Sequence, residues 1–160
     1  MAVTADIAAT YRGPRRVIAR LLAMGVREDR VLAFLMGGCV LTFIAQMPRL
    51  AREAHLTGQE LNMLLGGALL GIVFIAPLLL YALAWAAHLL GRALGGQGSS
   101  YSARLALFWA FLAASPLMLL NGLTAGFIGA GAELTLVGIL WLAVFLWFWI
   151  SGMLEAYRQA

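Results

Sequence analysis

The chain is 160 residues long, 63% hydrophobic and only 11% charged, with a net charge of +4; soluble proteins run at roughly 45–50% and about 25%. A water-soluble fold of this size has too much surface for its volume to hide that much apolar side chain. Composition therefore excludes a soluble globular domain, a disordered chain and a secreted disulfide scaffold, and leaves an integral membrane protein, whose apolar segments, taken in order below, read as an all-α, polytopic transmembrane bundle.

All eleven basic residues are arginine. Six of them, Arg12, Arg15, Arg16, Arg20, Arg27 and Arg30, fall in residues 1–30 against Asp6, Glu28 and Asp29. A basic segment ahead of a first apolar span stays in the cytoplasm. Nucleic-acid binding is the rival reading of such a run, but no stacking aromatics are interleaved with the arginines. Residues 1–13 show no clear period and read as an irregular start. In residues 14–24 a 3.6-residue period gathers Val17, Ile18, Leu21 and Leu22 on one face, with Arg12, Arg15, Arg16 and Arg20 on the other. Pro14 suits the first helical position and Gly25 the stop. The pattern predicts an N-terminal amphipathic helix lying on anionic lipid headgroups.

The apolar domain spans residues 31–155 and leaves a short tail, 156–160. Its first span is expected over 31–47, ended by Pro48, with a polar loop over 48–62. Thr57 and Glu60 fit a capping box, flanked by Leu56 and Leu61 as a hydrophobic staple, so the next helix is predicted to start near Gly58. That second span, 61–90, is longer than a bilayer requires, which predicts tilt and a bend near Pro77. A Gly/Ser-rich connector, 91–102, follows. The third apolar stretch, 105–132, is too short for two full spans. It reads as one span to about residue 120, with Pro116 bending it, and a glycine-rich re-entrant or interfacial piece through 131. The last span is 134–154. Four spans result, with five as the alternative. Nine arginines then lie on the cytoplasmic side and two, Arg49 and Arg52, outside. Trp85, Trp109, Trp147 and Trp149 fall toward the cytoplasmic interface.

Catalysis needs positioned acids, bases, nucleophiles or metal ligands. Between residues 61 and 154 the only acidic residue is Glu133, and the two histidines, His55 and His88, are placed on opposite sides of the membrane. Cys39 is alone, in an apolar run. The 95–100 run lacks the lysine a phosphate-binding loop requires. No catalytic residue, cofactor or metal set is assigned, and an enzyme is not expected. Ion-coupled transport would need ionisable groups at mid-depth; the polar residues there are only Thr42, Ser115, Asn121 and Thr124. Two GxxxG pairs, Gly67/Gly71 and Gly122/Gly126, mark faces where helix backbones can approach closely.

Leu94-Gly95-Gly96-Gln97-Gly98-Ser99-Ser100-Tyr101, followed by residues 105–115 and Pro116, resembles the YIP-type membrane domain (Ypt/Rab-interacting proteins and their bacterial relatives). The aromatic-rich closing stretch 141–152, ending at Gly152, is similar to it as well. The resemblance covers residues 30–155 and implies a non-enzymatic membrane protein; eukaryotic members imply vesicle traffic and small-GTPase binding. The all-arginine, alanine-rich composition points instead to the bacterial branch and the inner membrane. The expected role is a scaffold, interaction partner or local lipid organiser. The alternatives are a homo-oligomeric transporter or channel for a neutral solute, and an accessory subunit of a larger membrane complex. Expected partners are anionic lipid headgroups and a membrane protein or second copy, with no nucleic acid.

Overall fold

The computed structural model describes residues 3–96, 98–129 and 131–158, the last without its side chain. Gln97 of the glycine motif, Ala130 of the re-entrant piece and tail residues 159–160 lie outside the described residues. Every regular element described is helical: α1 (Val3–Thr10), α2 (Pro14–Ala23), α3 (Glu28–Thr57), α4 (Leu61–Leu69), a π-helical turn (Leu70–Ile75), α5 (Ala76–Ala93), α6 (Ser100–Ala113), α7 (Ser115–Phe127) and α8 (Ala132–Arg158). Among them Glu28–Thr57, Leu61–Ala93 and Ala132–Tyr157 are long and apolar enough to cross a membrane, and the pair α6–α7, bent by 42°, makes a fourth if taken as one span.

Helix α6 is the centre. Leu105, Leu107, Phe108, Ala110 and Ala113 are fully buried, and Trp109 is 1% exposed. A helix apolar on every side needs cover on every side, and α3, α5, α8 and the α1–α2 pair provide it. Phe34 of α3 meets Trp109 edge-on at 4.9 Å, and Tyr81 of α5 meets Phe108 likewise at 4.9 Å. Trp109 is therefore a core residue rather than an interfacial aromatic. Trp85 and Trp147 remain exposed.

The prolines act in three different ways. Pro116 has no N–H for the carbonyl of Leu112, and the helix bends there as expected. Pro77 likewise has none for Val73, and the chain absorbs the loss as the π-helical turn just before it. Pro48 does not end α3, which runs ten residues beyond the expected stop at 47. Past Pro48, Arg49 bonds Gln46 at 2.8 Å and Glu53 at 3.4 Å on the exposed side, and α7 packs on Pro48 itself through Gly126. The expected start near Gly58 is likewise overturned. Thr57 donates to the carbonyl of Glu53, Gly58 at φ +74° closes α3, and α4 begins at Leu61 with no side-chain cap. A left-handed glycine is a helix stop, and it outweighs the capping-box pattern here.

The largest revision concerns the N-terminus. Residues 3–10 are helical rather than irregular, and α1 folds back on α2 as a hairpin. Val17, Ile18 and Leu21 do share one face, but that face packs on α6 and α8 and is 1–4% exposed, so it is not a lipid-facing surface. Leu22 is half-buried, Arg20 is paired with the buried Asp6 of α1, and Arg15 reaches Glu155 at 3.6 Å. Arg12 and Arg16 are exposed, with no carboxylate partner among the described residues. At the tip Thr10 accepts from Trp109 Nε1 at 3.0 Å, and Tyr11 Oη donates to the carbonyl of Ala113 at 2.7 Å. Burial raises the Tyr11 pKa, so the phenol stays a donor. Along α8, Tyr11 sits at Phe148, about 10 Å from Glu155 at 1.5 Å per residue.

The two GxxxG pairs separate. Gly122 lies on the backbone of Ala45, and Gly126 on Pro48, so this pair forms the α3–α7 crossing. Gly67 and Gly71 have open space where a Cβ would be, so neither marks a close helix approach. Gly122→Leu should therefore destabilise the bundle by about 3 kcal/mol, the upper end of overpacking costs. Gly67→Leu should be neutral or slightly stabilising through helix propensity, within about 1 kcal/mol. Thermal unfolding in one detergent reads both. Thr10→Val, which strands the Trp109 N–H, should cost about 1–3 kcal/mol in the same measurement.

Candidate functional site

The glycine-rich connector and the end of α8 form one assembly around Tyr157. The Tyr157 ring lies where side chains at Gly91, Gly96 and Gly98 would stand; an ideal Cβ at these positions comes within 2.8, 2.7 and 2.7 Å of ring carbons. Glycine is needed at all three for closeness of approach. Only Gly95, at φ +90°, is needed for its backbone conformation. The connector is thus a socket for one aromatic ring.

The hydroxyl is fixed at the same place. Tyr157 Oη donates to the carbonyl of Ser99 at 3.1 Å and lies 2.5 Å from His88 Nδ1. A phenol has one proton. With that proton on the Ser99 bond, His88 must donate through Nδ1, which sets its tautomer. Ser99 also caps α6, its hydroxyl accepting from the N–H of Ser102 at 3.2 Å. Tyr101 Oη donates to the carbonyl of Gly25 at 3.3 Å, and Arg104 pairs with Glu28, which ties the connector to the start of α3.

Beyond Tyr157 the two long helices part. Helices α5 and α8 each pack on α6 but barely touch one another. Between them a cleft of about 730 Å³ runs from Leu83 and Leu146 to Gly95, Gly96 and Tyr157. Its walls are apolar, and Leu90, Ile150 and Leu154 on them are more than half exposed, so the cleft opens sideways. Arg92, next to the lining Gly91 at the Tyr157 end of α5, is exposed, with no ion pair among the described residues. A second, smaller cavity of about 280 Å³ lies at the opposite end of the bundle, beside Arg49, Arg52 and Gly129.

The residues singled out from sequence are scattered by the fold. The α2 residues lie across α6 and α8, Gly122/Gly126 lie on α3, and Gly67/Gly71 face outward. Thr124 spends its hydroxyl on the carbonyl of Leu120 at 2.9 Å, and Asn121 lies against Gly138 of α8. Among the described residues no three His, Cys, Asp or Glu side chains are grouped as a metal site. Sequence reading missed Tyr157 and its link to His88. The available signal was an aromatic closing the last span at the same end as the glycine connector. No family model, curated protein or solved structure matches the chain.

Tyr157→Phe keeps the ring and removes the hydroxyl, which strands His88 Nδ1–H and the Ser99 carbonyl. We expect a loss of about 1–3 kcal/mol and faster proteolysis within residues 94–99. Gly98→Val, which displaces the ring itself, should open the same loop more fully in the same proteolysis assay.

Proposed function

We propose that this is a non-enzymatic, four-span membrane protein of the YIP type, from the bacterial branch, acting as a scaffold and local lipid organiser. The observation that carries the reading is the meeting of the segments that bear the resemblance. The glycine connector wraps Tyr157 of α8, five residues past the closing stretch 141–152, and within that stretch Gly152 lies on Ala106 of α6, whose Cβ is 3.1 Å from where a Cβ on Gly152 would be. Pro116 then turns α6 into α7. The connector and α6, together with the distant α8, build the centre onto which the other helices pack.

Charge supports an orientation. The N-terminal hairpin and the end of the bundle beside it carry Arg12, Arg15, Arg16, Arg20, Arg27, Arg30, Arg92 and Arg104, whereas the far end carries Arg49 and Arg52. By the positive-inside rule the former end is cytoplasmic, and in this reading the membrane is the inner one. The docked hairpin then runs along α6 as far as Trp109 and Ala113, and the exposed Arg12 and Arg16 extend along it toward anionic headgroups.

Tagged purification from native membranes in a mild detergent, with mass spectrometry of what co-purifies, tests the proposal. A near-stoichiometric membrane-protein partner or homo-oligomer, recovered together with lipid, is the expected result. Solute flux in proteoliposomes that depends on this chain would overturn the scaffold reading in favour of a transporter.

A further inference from the structure

The cleft between α5 and α8 has the dimensions and polarity of a lipid-chain site. Leu83 to Leu94 on one wall and Leu146 to Tyr157 on the other are each twelve residues, eleven helical steps or about 16 Å. Half of a hydrocarbon core of about 30 Å is about 15 Å. The cleft is therefore one leaflet deep. Both walls belong to helices that pass as membrane spans, so its open side faces the layer where lipid tails lie. One end is shut by the Tyr157 socket, and Arg92, one residue past the lining Gly91, is exposed there without a carboxylate partner among the described residues.

We propose that the α5–α8 cleft holds one acyl chain of an anionic phospholipid, with the lipid phosphate at Arg92. This deepens, and rests on, the reading of the chain as a local lipid organiser. An acyl chain gains no hydrophobic free energy by leaving bulk lipid, which is equally apolar. Two other terms favour the cleft. Fixed helix walls contact the chain along its length, and the arginine attracts the negatively charged headgroup. The Tyr157 socket matters to both, because it pins α5 to α8 at one end and so sets the width of the gap. The α4 face around Gly67 and Gly71 is also apolar and exposed, but it has neither a closed end nor a cation.

The test uses the full chain in nanodiscs of equal phosphatidylglycerol and phosphatidylcholine, released into a mass spectrometer under native conditions. The wild type should retain one phosphatidylglycerol. Ala87→Trp puts an indole into the cleft wall and should reduce retention about tenfold through steric exclusion. Ala82→Trp, an exposed position of the same helix outside the cleft, should leave retention unchanged. Equal retention by the two variants overturns the site, and equal retention of the two lipids overturns the anionic assignment. A second measurement needs no variant. Phosphatidylglycerol with a diazirine in its acyl chain should label residues 83–94 and 146–157 of the wild type above the rest. Even labelling over the exposed face of residues 61–79 overturns the proposal. Partner recovery is a separate readout, so an empty cleft and a failed scaffold reading are distinguishable.

Discussion

Burial of α6 on all sides is the constraint that organises the bundle. Its side chains leave no face for lipid, so each neighbouring element has to present an apolar surface to it. Helices α3, α5 and α8 do so while keeping their outer faces exposed, and the α1–α2 hairpin closes the remaining side. Because lipid is as apolar as leucine, this arrangement draws on close packing more than on removal of surface from water. The close contacts accordingly fall at small residues. Gly38 receives Phe111, Gly122 and Gly126 receive α3, and Gly152 sits between Ala106 and Ile18.

The glycines thus serve two distinct purposes. Those within α3, α7 and α8 bring helices together, whereas Gly91, Gly96 and Gly98 make room for one ring. The second arrangement has a geometric consequence. Tyr157 fastens the ends of α5 and α8, while farther along both helices rest on α6 and leave a cleft between them. A lateral opening between two helices long and apolar enough to span a membrane follows from where they are pinned.

The N-terminal segment shows how one sequence pattern serves two environments. An arginine-flanked apolar stripe satisfies a membrane surface and a protein groove equally well. Here α6 and α8 provide the groove, and two pairings match it chemically. Asp6 answers Arg20, and Thr10 answers the indole of Trp109. Neither partner is visible in the periodicity of residues 14–24, because one lies in the unpatterned start and the other almost a hundred residues away.

Composition and local chemistry determined the all-helical membrane class, the apolar segments, the α2 helix between Pro14 and Gly25, and the bend at Pro116. These follow from side-chain transfer energies and backbone rules that act within a few residues. Contact between distant segments decided the rest. It carried α3 through Pro48, turned Trp109 inward and gave one GxxxG pair a partner while leaving the other bare. It also made the glycine connector a socket for Tyr157 rather than a loose link. The physical reason is common to all of these. A glycine, a proline or an apolar stripe specifies what a surface can accept, and only the packed fold supplies what it meets.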